Sequence, residues 1–319
     1  MEIISNPTPV EIKKAAQALK DGHLVAFPTE TVYGLGADAT NERAVSRIYS
    51  VKARPTDHPL IIHISSINQL AKWAIDIPEY AIKLAQQFWP GPMTLILKRS
   101  ELVKDFISGN QDNIGVRVPA HPVALALLSE FEKLGGFGIA APSANRFGAV
   151  SATTAEDVNE ELGKFLNSND LILDGGKSLI GVESTIIDCR RNYPSILRPG
   201  AIAIEMIEIT TGYTIPTNLQ INNIRAPGLL RHHYSPKAEV VIDSIPQPGD
   251  GFIALADVPT PAGVIRLASP ANLEEYARLL YSAFRAGDRF EIKKVVAIQP
   301  SGEGLAYAIR DRLARASSI

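Results

Sequence analysis

The hydrophobic pattern along the first two-thirds of the chain switches repeatedly between two periods. In "TPVEIKKAAQALKDG" the spacing predicts a helix, with Thr8 as N-cap, Pro9 at the first helical position and Gly22 just past the end. "HLVAFP" reads as a short buried strand. "NERAVSRIYSVK" predicts a helix that delivers the chain to Lys52, and "PLIIHI" a strand. A helix over "PEYAIKLAQQFW" is stopped by "PGP", and "MTLILKR" follows as a strand. "GVRVP" and "GFGIAAPSAN" predict strands with polar tips, and "TTAEDVNEELG" a capped helix. "LILDGG", "STIIDCR" and "SILRPG" add three strands.

From about Gly212 the alternation stops. "YTIPTNLQINNIRAPGLLRHHYSPK" is polar and proline-punctuated, without a sustained period. It predicts a linker over residues 212–237, between a domain of residues 1–211 and one of residues 238–319; so long a structureless stretch is usually disordered or functional. In the second domain "EVVIDSI", "GFIALAD", "GVIRLA" and "VVAIQ" read as strands. "NLEEYARLLYSAFRAG" and "GLAYAIRDRLARA" read as helices, so a small α/β domain with a largely parallel sheet is expected.

Composition narrows the function. A chain of 319 residues suits two domains. The formal net charge of -2 provides no global basic field for broad nucleic-acid binding, but it permits a local cationic pocket for a small phosphorylated ligand. Cys189 is the only cysteine, which rules out an intrachain disulfide and a cysteine metal cluster. The start lacks a basic-then-apolar leader, and no apolar stretch approaches the roughly 20 residues of a membrane span. A soluble cytoplasmic protein is expected.

Candidate chemistry gathers at strand tips. "FPTETVYGLG", "VKARP", "GVRVP", "APSAN", "GVEST" and "LRPG" supply Lys52, Arg54, Arg117 and Arg198 as cations. They also supply Thr29, Thr31, Ser143, Asn145, Ser184 and Thr185 as neutral hydrogen-bonding groups, which together suit an anion or small polar ligand. Taken singly, Lys52 and Arg54 also suit a solvated helix end, where cations meet the negative pole of the macrodipole. His63, at an alternating position of an apolar strand, also suits a core histidine. Arg117, between valines, needs a partner or an exposed face. His232 and His233 are adjacent and cannot share a helix face, so a structural zinc site is not expected. There is no phosphate-binding G-x-x-x-x-G-K-[ST], no G-x-G-x-x-G and no G-x-S-x-G elbow; "GLGADA" is only glycine-rich. These residues bind charge, so catalysis would act by positioning and electrostatic stabilisation.

"FPTETVYGLGADA", "VKARPTDHPLIIHI", "FWPGPMTLIL", "GVRVPAHPVA", "AAPSAN", "ESTIIDC", "ILRPGAI" and "HHYSP" occur in that order. Together they resemble the threonylcarbamoyl-AMP synthases, the YrdC-like enzymes of tRNA modification. The resemblance is dense over about the first 210 residues, and the carboxy-terminal "GEGLAYAIRDRLARA" is similar to the longer, two-domain branch. It implies an α/β fold: a twisted mixed sheet with flanking helices and a concave cavity, plus a smaller Rossmann-like α/β carboxy-terminal domain. It implies that threonine, bicarbonate or carbon dioxide, and ATP give threonylcarbamoyl-AMP and pyrophosphate. The product would pass to a tRNA threonylcarbamoyl-transferase complex, with neither a membrane nor a direct tRNA requirement.

The resemblance also implies roles. Lys52 and Arg54 would be catalytic. Arg54, His58, Ser143, Asn145, Ser151, Arg198 and Tyr234 would contact ATP. Thr31, His63, Arg117 and Ser184 would line the threonine site. Magnesium is expected with ATP, with no protein ligands identified. His58 stands where the family often has asparagine, and Ala53 where it often has glycine. The linker, with Arg231, His233 and Tyr234, is expected to fold over the cavity as a lid. Two other functions remain open at this level: a non-catalytic RNA- or nucleotide-binding module, and carbamoyl transfer to another amine.

Overall fold

The computed structural model describes residues 1–215 and 234–317. Residues 216–233, with Arg231, His232 and His233 of the expected lid, lie outside the described residues. Ten strands form one mixed sheet: β1 (Glu2–Ser5), β2 (Val25–Phe27), β3 (Gly34–Asp38), β4 (Ile61–His63), β5 (Met93–Lys98), β6 (Asn113–Arg117), β7 (Ile139–Ala140), β8 (Leu171–Asp174), β9 (Thr185–Asp188) and β10 (Ser195–Arg198). Their spatial order is β1-β8-β2-β3-β7-β4-β6-β5-β9-β10. Helices α1 (Pro9–Lys20), α2 (Glu42–Lys52), α3 (Leu70–Trp73), α4 (Glu79–Phe88), α5 (Asp105–Ser108), α6 (Pro122–Lys133), α7 (Ala155–Leu162) and α8 (Ile204–Thr211) connect them.

The two-residue period of the strands sorts their side chains between two cores. Val25 and Phe27 join Ile4, Ile139 and Leu173 under α1 and α6. Ala26, Leu35, Ala37, Ile62 and Val116 face the larger core, closed by α2, α3 and α4. The same alternation sets the functional face. Ile62 and Ile64 enter the larger core, so Ile61 and His63 look the other way. In β6, Ile114 and Val116 are core residues, and Arg117 points out beside them. Parallel pairing of β4 with β6 puts His63 directly opposite Arg117.

The expected N-cap of α1 is present. Glu11 N–H donates to Thr8 Oγ1 at 3.4 Å and Thr8 N–H donates to the Glu11 carboxylate at 2.7 Å, which completes a capping box. "GLGADA", read above as merely glycine-rich, forms β3. A Cβ at Gly36 would stand 2.8 Å from both Phe27 Cε1 and Ile139 Cγ2, so this glycine serves close packing. Sequence periodicity did not isolate β1, β3, α6 or α8. The N-cap of α6 is His121, whose side chain accepts from Val123 N–H at 3.2 Å, and α8 has no side-chain cap. Neither start carries the usual Ser, Thr, Asp or Asn signal.

The carboxy-terminal part builds a second, all-parallel sheet from β11 (Glu239–Ile242), β12 (Gly251–Ile253), β13 (Ile265–Ala268) and β14 (Lys294–Ala297), in the order β11-β14-β12-β13. Helices α9 (Leu273–Arg289) and α10 (Leu305–Ala316) pack on it. This is the doubly layered Rossmann-like architecture expected. Val32, Val150 and Val182 of the first domain share a core with Tyr276, Leu280 and Tyr281 of α9. Around that patch Arg289 pairs with Asp157 at 2.9 Å and Glu160 at 2.6 Å on α7. Arg285 donates to the Val150 carbonyl at 2.5 Å. Among the described residues, no helix is long and apolar enough to cross a membrane.

Candidate active site

A concave cavity of about 630 Å³, its open mouth included, lies on the sheet face that carries Ile61, His63 and Arg117. The strand tips converge on it, which sequence could not establish. Thr31, Lys52, Arg54, His63, Arg117, Ser143, Asn145, Ser184, Arg198 and Tyr234 all line it.

Two of the expected contact residues do not. His58 is half-buried beside the cavity, edge-on to Phe147 with ring centroids 5.2 Å apart. Its carbonyl accepts from Arg54 Nε at 3.3 Å, so it holds the arginine through backbone. Ser151 is fully buried behind the wall, where its hydroxyl donates to Glu183 Oε1 at 2.6 Å.

Lys52 closes α2 and is almost wholly buried. Its ammonium donates to the Ser143 carbonyl at 2.6 Å and to the Asn145 carbonyl. The helix end is therefore tied to the β7 tip, and the solvated reading of this lysine fails. Burial, then the neighbouring Arg54, push its ammonium well below the usual lysine range. Arg54 donates to the Pro59 carbonyl at 2.8 Å and lies over the Phe147 ring at 5.6 Å. Burial lowers its pKa to about 10. Between them Ala53 turns the chain with φ +48° and ψ +42°, a left-handed conformation that favours glycine.

Arg117 has the partner its apolar setting demanded. Its Nη2 pairs with Glu30 at 2.6 Å, Nη1 donates to Thr31 Oγ1 at 3.0 Å, and Nε donates to the Gly91 carbonyl at 3.2 Å. The "FWPGP" turn supplies that carbonyl. A guanidinium carries five N–H groups, so two remain for a ligand. Thr31 Oγ1 also shares a hydrogen bond with Thr29 Oγ1 at 2.8 Å. His63 is held neutral at physiological pH: burial, then Arg117, lower its pKa to about 3.

Arg198, at the end of β10, grips the first residue of the next tip. Its Nη2 donates to the Ser184 carbonyl at 2.9 Å and Oγ at 3.1 Å. Its Nη1 reaches Tyr234 OH at 3.4 Å. Tyr234 is the described residue that brings the linker to the cavity, and Ser235 N–H anchors it by donating to the Gly148 carbonyl at 3.0 Å. Four buried side-chain polar atoms among the described residues lack a hydrogen-bond partner, and two of them belong to the cavity wall: His63 Nδ1 and Asn145 Oδ1.

Sequence reasoning passed over two acids. Glu30, in "PTETV", answers Arg117. Glu183, in "GVEST", lines the cavity and takes hydrogen bonds from Ser151, Tyr281 and Arg312. Nothing local marks either one, because their cations lie far along the chain. The carboxylate of Glu183 is fully engaged, and among the described residues no three His, Cys, Asp or Glu side chains cluster to hold a metal.

Comparison with known proteins finds relatives along the whole chain. Residues 17–200 match the family model for Sua5, YciO and YrdC, described as telomere recombination, and residues 202–318 match the threonylcarbamoyl-AMP synthase carboxy-terminal domain. The chain is 41% identical to the threonylcarbamoyl-AMP synthase of Pyrococcus abyssi, covering 96% of this chain and 94% of the relative. It is 38% identical to that of Bacillus subtilis, covering 96% and 93%. The crystal structure of Pyrococcus abyssi Sua5 complexed with L-threonine superposes with a TM-score of 0.88 at 39% identity, over 99% of this chain and 97% of that one. With both domains matched in order and a cationic cavity between the strand tips, the chain belongs to the threonylcarbamoyl-AMP synthase family.

Proposed function

We propose that this protein condenses L-threonine, bicarbonate or carbon dioxide, and ATP to threonylcarbamoyl-AMP and pyrophosphate, for N6-threonylcarbamoyladenosine modification of tRNA. One observation carries the reading. Lys52, Arg54, Arg117 and Arg198 surround a single cavity whose wall also carries Thr31, His63, Ser143, Asn145 and Ser184. Four cations suit a triphosphate and a carboxylate, and the neutral groups suit a small polar amino acid.

The threonine amine adds to carbon dioxide with loss of a proton, or to bicarbonate with loss of water, and becomes a carbamate. A carbamate oxygen then attacks the α-phosphorus of ATP, and the bond to pyrophosphate breaks. Lys52 and Arg54 stabilise the charge that shifts onto pyrophosphate, by fixed electrostatics in a water-poor pocket. Ser143, Asn145, Arg198 and Tyr234 hold the nucleotide end. Arg117, with two N–H groups to spare, takes a carboxylate, and Thr31, neutral His63 and Ser184 line the amino-acid end. A pocket that hydrogen-bonds the threonine hydroxyl rejects alanine, because the missing group leaves buried polar atoms unpaired. Binding a polyanion also favours the charged form of Lys52. The product is handed to a separate transferase complex that modifies tRNA.

Incubation with ATP, bicarbonate and amino acids one at a time tests this, with pyrophosphate and a new adenylate as readouts. Threonine-dependent release of both is expected. Pyrophosphate release without threonine, or no release, overturns the reading in favour of nucleotide binding alone or transfer to another amine.

A further inference from the structure

Glu183 is the one acid among the described residues lining a cavity otherwise rich in cations. A negative charge there opposes binding of a polyanion unless something neutralises it. Glu183 is 5% exposed. Ser151 donates to one oxygen at 2.6 Å, and Tyr281 at 2.9 Å and Arg312 Nε at 2.8 Å donate to the other. Tyr281 sits on α9 and Arg312 on α10, so two of the three donors come from the carboxy-terminal domain.

Arg312 is wholly buried and makes no contact with solvent. Besides Glu183 it donates through Nη1 to Asp311 Oδ2 at 2.6 Å and through Nη2 to the carbonyl of Pro199 at 2.9 Å, the residue next to Arg198. Its guanidinium lies 5.2 Å from the centre of the Tyr234 ring, and Tyr281 stacks on that ring at 5.7 Å. Tyr234 OH in turn meets Arg198 Nη1 at 3.4 Å. Arg312 therefore touches Glu183, Pro199 and the Tyr234 ring without lining the cavity itself. A buried carboxylate must have a counter-charge. Arg198 is the next cation acting on Glu183 after Arg312.

We propose that Arg312 is a positioning residue for the nucleotide site: by neutralising Glu183 from the carboxy-terminal domain, it leaves Arg198 in its hydrogen bonds to Ser184 and Tyr234 on the cavity wall rather than drawn away as the counter-ion of an acid. The second domain thereby completes a site to which α9 and α10 contribute no lining residue. This rests on the assignment of the cavity to ATP.

The full-length protein tests it by steady-state kinetics, with the KM for ATP and the KM for threonine read separately. Arg312→Met bares the Glu183 charge and should raise the KM for ATP by about tenfold or more, with a smaller effect on threonine. Adding Glu183→Gln to Arg312→Met removes that charge and should bring the KM for ATP back to within about threefold of the original protein. Arg312→Lys keeps the charge and should also stay within about threefold. If Arg312→Met fails to fold, the lysine variant and the double variant carry the test alone. An ATP KM raised about tenfold in both of those variants, an unchanged value in Arg312→Met, or an equal rise in both KM values makes Arg312 a packing residue only and overturns the inference. Absence of threonine-dependent pyrophosphate release from the unsubstituted protein would instead remove the ATP assignment beneath it.

Discussion

Glu183 makes the junction between the two domains sensitive to acid. Burial alone would raise its carboxyl, but Arg312 foremost, then Arg198 and the Ser151 hydrogen bond, outweigh this and hold it at about 2 against an ordinary 4.5. A carboxyl lowered on folding stabilises the folded state above its unfolded pKa. That stabilisation is lost as pH falls through the window from 4.5 toward 2. The gap corresponds to about 3 kcal/mol at neutral pH, of which roughly 2 kcal/mol is gone by pH 3. The group is almost fully buried, so solvent screening takes little from this. Glu183→Gln cannot ionise and isolates the effect from that of other carboxylates. Urea unfolding of both proteins from pH 7 to pH 3 should show a stability difference that is largest at neutral pH and narrows by about 2 kcal/mol at the acid end. A difference that stays constant across the range would refute the argument, because the substitution would then act through packing alone.

Four further outcomes are expected. Lys52→Met should lower kcat by about 10²-fold or more in the pyrophosphate assay, and near-normal turnover would remove Lys52 from the mechanism. In the same variant, ATP binding should lose a component of proton uptake that the unsubstituted protein shows below the ordinary lysine pKa, measured by calorimetry in buffers of different ionisation enthalpy; the sign follows because a polyanion raises a depressed lysine pKa. Ala53→Gly relieves a left-handed backbone at an exposed helix end and should stabilise the fold by about 1 kcal/mol in thermal unfolding, with no gain counting against strain at this site. Arg117→Met leaves Glu30 buried without its cation and should cost about 3–5 kcal/mol in urea unfolding, much of it recovered when Glu30→Gln is added.

The local pattern of the chain determined most of its elements. The Thr8 capping box, the apolar runs of β2, β4 and β5, and the acid-first, arginine-last α9 are written in short windows, because propensity and periodicity act over one or two turns. "PLIIHI" even fixes the face that His63 occupies, since a two-residue period leaves no choice once Ile62 and Ile64 are core. β3 escaped because glycine packing against Phe27 leaves no alternating pattern, and α6 and α8 because their starts lack the usual cap. The cations were legible one by one, each with a bland reading beside it. Only the tertiary structure decided that they meet, and that Lys52 is buried rather than solvated. It alone supplied the acids that balance them. Glu30 answers an arginine 87 residues away and Glu183 one 129 residues away, on another domain. Charge balance in a buried site is a property of distances in space, and no window of sequence contains it.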